Sequence, residues 1–373
     1  MIRVLNIISD TNIGGAGRVI LNYLDCADRD RFETHVAIPR GSLLKEPMEE
    51  AGAAVHEVEG MADRSYAKED VAVLKALIAQ VQPDLVHTHG SLSGRIAARR
   101  CHVPVVYSRH SAFPVPAKLK YPPGRWVNKF VNEHYADHII AVSPATRENL
   151  LEGGISPRKI TVVMNGVSPV EKTAPEQQKA LKKELNLLPD TVVFGILARI
   201  EDYKGHLYLV QAAQKLKEMG YKNFRILAAG TGSFEEEVKR AVEEAGVTDV
   251  VSLLGFRSDV KELLNILDVQ LNCSYGTEAT SMALLEGMSL NLPSVVSDYG
   301  GNPFLVEDGA SGVVFPSRDS EALARAMARM LDEPEKRVEM GLRGGEIFSR
   351  QFTAQAFARN TEQVYCDILK GAK

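Results

Sequence analysis

The sequence predicts two successive doubly wound α/β domains, and three observations carry that prediction. Apolar, β-branched runs alternate with helix-spaced segments along nearly the whole chain, which is the pattern of parallel sheets covered by helices. The alternation breaks once, in the Pro- and charge-rich stretch Gly166–Thr191, and then restarts. A length of 373 residues also exceeds what one ordinary core serves and fits about two domains. The expected division is a first domain over residues 1–168 and a second over 169–352.

In the first half, Arg3–Ser9 (RVLNIIS) suits a strand buried in a parallel sheet. It runs into DTNIGGAGR, after which VILNYL has helical spacing. Strand, glycine loop and helix is the context in which such a loop can face a ligand, because Gly14, Gly15 and Gly17 allow close approach of the backbone and its amides. A plain tight turn between strand and helix is the competing account. The spacing is not GxGxxG, and no acidic residue ends a second strand where a dinucleotide ribose needs one, so a dinucleotide cofactor is not expected.

THVAIP, AVHEVE, Leu85–His89, VPVVYS, HIIAVS and KITVVMNGV continue the strands, with helices over Leu43–Gly52 and Lys68–Val81. Ligands of such sheets bind beyond the carboxyl ends of the strands. That places Gly14–Gly17, His87–Gly90, Arg109–His110, Ser143 and Asn165–Gly166 along one edge. His87 and His89, in HTH, resemble a metal pair but are expected on opposite strand faces, as core or rim histidines. His110 leaves a strand into a loop, where a polar group can face a cleft.

Between Leu85 and Asn132 there is no Asp or Glu, while Arg95, Arg99, Arg100, Arg109, Lys118, Lys120, Arg125 and Lys129 supply eight positive charges. Tyr121, Trp126 and Phe130 are interleaved with the last of them. This combination fits an anionic membrane surface or an anionic acceptor, and equally a solvated basic face. No motif supports nucleic-acid reading, and the net charge of −4 argues against it.

After the break, VVFGILARI, a helix from His206 to Met219, FRILAAG, a helix over Phe234–Ala245, VVSLLGF, a helix over Val260–Leu267 and VQLNC repeat the alternation. ARIEDYKGH places Arg199 and Lys204 on a turn from strand to helix, where two cations can neutralise a diphosphate and Gly205 allows close approach. Gly230-Thr231-Gly232 leaves the next strand as a flexible, anion-tolerant turn, and Gly300-Gly301 leaves a later one.

The segment Asn272–Pro303 joins these turns. Glu278 and Glu286 are eight residues apart, a little over two turns at about 3.6 residues per turn. With a helix starting near Thr280, Glu278 lies at its mouth and Met282, Ala283, Leu284 and Leu285 form its packing face. Carboxylates for hydroxyls beside an amide-rich helix start for phosphate suggest a nucleotide-sugar pocket. An N-terminal Glu that merely complements the helix dipole is the plainer account.

Composition excludes several classes. The four cysteines, Cys26, Cys101, Cys273 and Cys366, are scattered, which points to reduced thiols and to neither disulfides nor zinc. No apolar run approaches the roughly 18 residues of a membrane span, and MIRVLNIIS lacks a signal-peptide layout. A cytoplasmic protein, with peripheral contact at the inner face of the membrane through the basic segment 85–132, is the expected setting. Asp28-Arg29-Asp30 looks like a metal-binding DxD but follows a helix, and is read as surface charge.

Taken together, GGAGR, PDLVHTHG, AVSPATRENLLEGGISPRKITVVMNGV, GILARIEDYKGHLYLVQAA and E-x7-E followed by GGNP resemble the family 4 retaining glycosyltransferases (glycosyltransferase group 1) over nearly the whole length. The resemblance implies the GT-B fold, two Rossmann-like domains facing a central cleft, with a closing helix over 353–373 that returns to the first domain. It implies transfer of a hexose or N-acetylhexosamine from a nucleotide diphosphate sugar, UDP-linked, to a hydroxyl of a glycan, glycolipid or other acceptor, with no metal or other cofactor. Arg199 and Lys204 would hold the diphosphate, Glu286 the ribose and Glu278 the sugar end. His110 would reach the donor sugar, Gly15 and Gly17 the phosphates or acceptor, and Phe256 and Arg257 the base. Gly230 and the backbone of Ala279, Thr280, Ser281 and Met282 complete the donor set. Family members carry glycines where this chain has Ala279 and Ser281, which implies a tighter pocket with its amides intact. A sugar-nucleotide epimerase on the same two lobes, or a non-catalytic partner subunit of a glycosyltransferase, are the rival readings; a phosphorylase would need a pyridoxal-phosphate lysine site that the sequence does not display.

Overall fold

The computed structural model describes residues 1–371. Ala372 and Lys373, part of the expected closing helix, lie outside the described residues. The chain divides into two compact units, Met1–Ser168 with the chain from Gln351 onward, and Pro169–Arg350.

In the first unit the strands are β1 (Ile2–Ile8), β2 (Phe32–Pro39), β3 (Ala54–Val58), β4 (Leu85–His89), β5 (Val105–Arg109), β6 (His138–Ala141) and β7 (Ile160–Val162). They form one parallel sheet in the order β3-β2-β1-β4-β5-β6-β7. The strands are apolar on both faces because helices cover both, which is why β1 reads as a continuous run with Val4, Leu5, Ile7 and Ile8 all fully buried. The helix Lys68–Val81 packs Val71, Leu74 and Ile78 into this core at helical spacing.

In the second unit β8 (Val192–Leu197), β9 (Phe224–Ala229), β10 (Val251–Gly255), β11 (Val269–Asn272), β12 (Ser294–Ser297) and β13 (Gly312–Phe315) form a second parallel sheet, ordered β10-β9-β8-β11-β12-β13. Phe194, Phe224, Leu209 and Leu323 sit at the centre of its core.

The stretch Gly166–Thr191 is not an unpacked linker. It holds the helix Pro175–Glu184, and Leu181 and Leu187 enter a core with Val193, Leu227 and Leu264. Its few apolar residues are spaced by lysines and glutamines that face water, which disguised the helix as a charged spacer.

The last helix, Ala354–Gly371, belongs to the first unit. Its Tyr365 hydroxyl meets His87 Nδ1 at 2.6 Å, and Glu362 accepts from the backbone N–H of Asp28 at 2.8 Å. Among the described residues no helix is long and apolar enough to cross a membrane.

Candidate active site

In each sheet the order of connections reverses at one point, between β1 and β4 and between β8 and β11. The loops that follow those neighbouring strands diverge, leaving a crevice at their carboxyl ends. In the second unit the residues at that point are Arg199, two positions past β8, and the segment that leaves β11 toward Glu278.

Arg199 is exposed, and its Nη2 donates to the Tyr203 hydroxyl at 2.9 Å. The chain then makes one 3-10 turn, Asp202–Lys204, and Gly205 takes a left-handed φ of 77°. A Cβ at Gly205 would stand 2.1 Å from the Cys273 carbonyl oxygen, so only glycine lets the two loops close on each other. That approach delivers Lys204 to Glu278, Nζ to Oε2 at 2.8 Å, with both side chains largely buried. His206 follows; burial first, and then the Lys204 ammonium, push its pKa down to about 4, so near neutral pH the cationic charge here rests on Lys204.

Glu278 does not sit at a helix mouth. It is buried, and Oε2 accepts from Lys204 Nζ, from Ser274 Oγ at 3.0 Å and from Asn272 Nδ2 at 3.1 Å. Asn302 Nδ2 in turn reaches Ser297 Oγ at 3.1 Å and Asn272 Oδ1 at 3.4 Å, and Ser297 Oγ donates to the Ser274 carbonyl at 2.5 Å. The carboxylate is therefore an anchor inside a polar network, and its first effect is to fix the Lys204 ammonium.

The helix begins at Met282, two residues later than Thr280, because Ser281 is extended and caps it, its Oγ accepting from the Leu284 N–H at 3.4 Å. Its packing face is Leu284, Leu285, Gly287 and Met288; Met282 and Ala283 are only half-buried. A recess bordered by Ala198, Lys204, Asn272, Ser274, Ser281 and Ala283 opens beside this cap. Glu286 is half-buried one turn further on, Ala279 is buried, and Thr280 lies between Ala279 and the cap.

Two other donor-site candidates have structural duties. Gly230 is not a flexible turn: a Cβ there would stand 2.0 Å from the Ala198 carbonyl oxygen, so it marks a fixed contact between the loops after β8 and β9. Arg257 offers no unengaged cation, since Nε donates to Asp259 Oδ1 at 2.7 Å and Nη1 lies 3.4 Å from Glu184. Phe256 beside it is 78% exposed, an open aromatic face at the end of β10.

In the first unit the loop after β1 separates its glycines by role. Gly15 is exposed and a Cβ there would meet nothing, whereas Gly17 lies buried in the helix Gly15–Leu24 with Leu44 filling the space of its missing side chain. Gly17 is thus held by packing as well.

His87 and His89 share a face of β4, as residues two apart on a strand do, and their rings lie 4.3 Å apart. Each has its own partner. His87 bridges Tyr365 and Ser108, while His89 Nδ1 meets His110 Nε2 at 2.8 Å and His89 Nε2 meets Asn6 Oδ1 at 3.1 Å. With the Asn6 carbonyl facing it, His89 Nε2 carries the proton; His89 Nδ1 then accepts from His110, and His110 Nδ1 is left as an acceptor. Burial, and then the Arg109 guanidinium, push His110 down to about 4; burial, and then His110, push His87 to about 3.

These values have a consequence for stability. The unfolded histidines take up protons from about pH 6.5, the folded ones only near 4 and below, so between those limits the unfolded chain binds more protons. Stability is expected to rise with pH across that window and to be lost as pH falls from 6.5 toward 4. Urea melts at successive pH values check this, and His110→Gln should flatten the decline.

Sequence reasoning missed Asn272, Ser274 and Asn302. All three lie inside Asn272–Pro303, and a cluster of small amides and hydroxyls at the ends of neighbouring buried strands was the available signal.

With this geometry in place, comparison with known proteins is direct. The profile for Glycosyltransferase Family 4 matches residues 13–171 and that for Glycosyl transferases group 1 matches residues 177–346. The chain is 27% identical over 337 residues to the UDP-Gal:alpha-D-GlcNAc-diphosphoundecaprenol alpha-1,3-galactosyltransferase of Escherichia coli, covering 86% of each. It is 27% identical over 303 residues to the putative glycosyltransferase EpsD of Bacillus subtilis, covering 76% of this chain and 78% of that one. Among solved structures, a glycosyltransferase from Rickettsia africae superposes with a TM-score of 0.85 at 18% identity, covering 99% of both chains. Anabaena HepE in complex with UDP superposes with a TM-score of 0.84 at 20% identity, covering 98% of this chain and 100% of that one. The fold is GT-B, and the chain belongs to the family 4, group 1 glycosyltransferases, enzymes that move a sugar from a nucleotide-sugar donor to an acceptor.

Proposed function

We propose that the protein transfers a hexose or N-acetylhexosamine from a UDP-sugar to an acceptor hydroxyl, with retention at the anomeric carbon, in the building of a polysaccharide, glycolipid or glycoconjugate. The observation that carries this reading is the buried Lys204–Glu278 pair beside Arg199 at the switch point of the second sheet. The reaction breaks the bond from the anomeric carbon to the diphosphate oxygen and leaves the electron pair on that oxygen. An ammonium fixed by a carboxylate, a second cation and the N–H groups entering the Met282 helix suit that growing charge. In this reading no metal ion is needed, because Arg199 and Lys204 supply the neutralisation.

The acceptor oxygen attacks from the face the diphosphate leaves, and its proton passes to the departing oxygen. Glu286 takes the ribose hydroxyls, Phe256 lies along the base, and the amides of Ala279, Thr280, Ser281 and Met282 take phosphate and sugar oxygens. Within the first unit, Gly15 leaves its backbone open to a ligand and His110, through Nδ1, is an acceptor for a hydroxyl. The choice of UDP rests on the donor and ligand named for the E. coli and Anabaena proteins.

A thermal-unfolding panel of UDP, GDP and ADP tests the donor: UDP is expected to raise the midpoint and the others to leave it unchanged, since a ligand of the folded state stabilises it by mass action. A lift from GDP or ADP alone overturns the choice of base. Glu286→Ala is expected to raise the donor KM by roughly tenfold to a hundredfold, the worth of a charged hydrogen bond, with kcat little changed. Steady-state kinetics with varied donor reads this directly.

A further inference from the structure

The helix Gly124–His134 has its polarity inverted. An ordinary surface helix turns its apolar face inward and its polar face to water. Here the inward bonds are polar: Asn128 Nδ2 donates to the Gly153 carbonyl at 2.7 Å, Asn132 Oδ1 accepts from the otherwise buried Arg95 at 3.0 Å, and Glu133 accepts from the Ser156 N–H at 2.7 Å. None of the helix's residues is buried. Trp126, Val127 and Phe130, at helical spacing on one side, are 67%, 60% and 61% exposed, and Tyr121 just before the helix is 70% exposed. A soluble surface has no use for such a cluster, and aromatic rings are the side chains that settle best at the boundary between water and hydrocarbon.

The charge around this cluster is also sorted. The cations of the acid-free segment do not make one patch: Arg95 lies buried over the Tyr107 ring, Arg99 binds Asp137 and Lys120 binds Glu152. Lys118, Arg125 and Lys129 remain exposed beside the aromatic residues. Exposed aromatics ringed by exposed cations complement one surface in both respects, an anionic lipid bilayer, which takes the rings below its headgroups and pairs the cations with its phosphates. We infer that Gly124–His134 lies flat on an anionic bilayer, with Trp126, Val127 and Phe130 inserted and Lys118, Arg125 and Lys129 at the headgroup level. This contact stands apart from the donor chemistry, and vesicle binding is measured with no nucleotide sugar present.

Trp126 is the only tryptophan in the chain, so its emission reports this helix alone. Full-length protein titrated with vesicles of phosphatidylcholine containing about one-third phosphatidylglycerol should show a blue shift and co-sediment, and pure phosphatidylcholine should bind at least roughly tenfold more weakly. Val127→Ser/Phe130→Ser, which keeps the reporter, should lower partitioning at least tenfold or so. Lys118→Glu/Lys129→Glu should abolish the preference for anionic vesicles, and both variants should keep the wild-type unfolding midpoint. Emission that stays red with protein left in the supernatant overturns the inference. So does a blue shift that grows with protein concentration in the absence of lipid and sediments as a dimer, which would give the face to a second copy of this chain.

Discussion

Lys204→Ala is expected to lower kcat by roughly two to three orders of magnitude, the typical loss when one fixed charge-stabilising group is removed from a transition state. Donor KM should move far less, because the ammonium matters most when the diphosphate is leaving. The same substitution strands Glu278, whose carboxylate would remain buried with Ser274 and Asn272 as the neutral donors that hold it. Breaking a buried pair from one side costs about 3 kcal/mol or more, so the thermal midpoint should fall as well. The double variant Lys204→Ala/Glu278→Gln separates the two effects. It removes the stranded charge and should recover most of the lost stability, while turnover stays at the level of the single variant. If the double variant recovers turnover along with stability, Lys204 has only a structural duty and the assignment fails.

Gly301→Ala is expected to have the next largest effect, although Gly301 carries no functional group. A Cβ at that position would stand 1.9 Å from the Ala279 carbonyl oxygen, and one at Gly300, with φ at 62°, would stand 2.0 Å from that of Glu278. The Gly301 N–H also holds the Glu278 carbonyl at 2.8 Å. The glycine pair is therefore the floor on which the Glu278–Thr280 segment rests. Filling it must push that segment, and with it the cap of the Met282 helix, out of place. A stability loss of about 2 kcal/mol or more is expected from overpacking of this kind. Activity should fall further than the unfolded fraction explains, which kinetics and a urea melt on one preparation will show. Gly15→Ala, where a Cβ meets nothing, is the matched control and should leave stability unchanged.

The two parallel sheets were legible because buried strands in such sheets are long apolar runs, and β1 and β8 come near to that pattern. The strand ends were legible too, since Arg199, Lys204 and the glycine turns fall where apolar runs stop. Contacts across the sheet were harder. His89 and His110 are twenty-one residues apart, and they meet only because β4 and β5 are neighbours in a register that pairs His89 with Ser108. Glu278 was read as an acid at a helix mouth because spacing along one segment says nothing about Lys204, which arrives from a loop 74 positions earlier. The packing duties of Gly17 and Gly230 were hidden for the same reason: what fills the space beside each glycine, Leu44 in one case and a carbonyl in the other, comes from elsewhere in the chain.

The placement of the last helix bears on how the chain is made. The second unit is one uninterrupted stretch, Pro169–Arg350, and can complete its sheet while the ribosome is still adding residues. The first unit is begun earlier yet finished later. Until Tyr365 and Glu362 emerge, His87 lacks its hydroxyl partner and the turn at Asp28 lacks its carboxylate. The nascent protein thus carries a closed rear half and an open front half, and a stop that removes the final helix would leave the front half the vulnerable one.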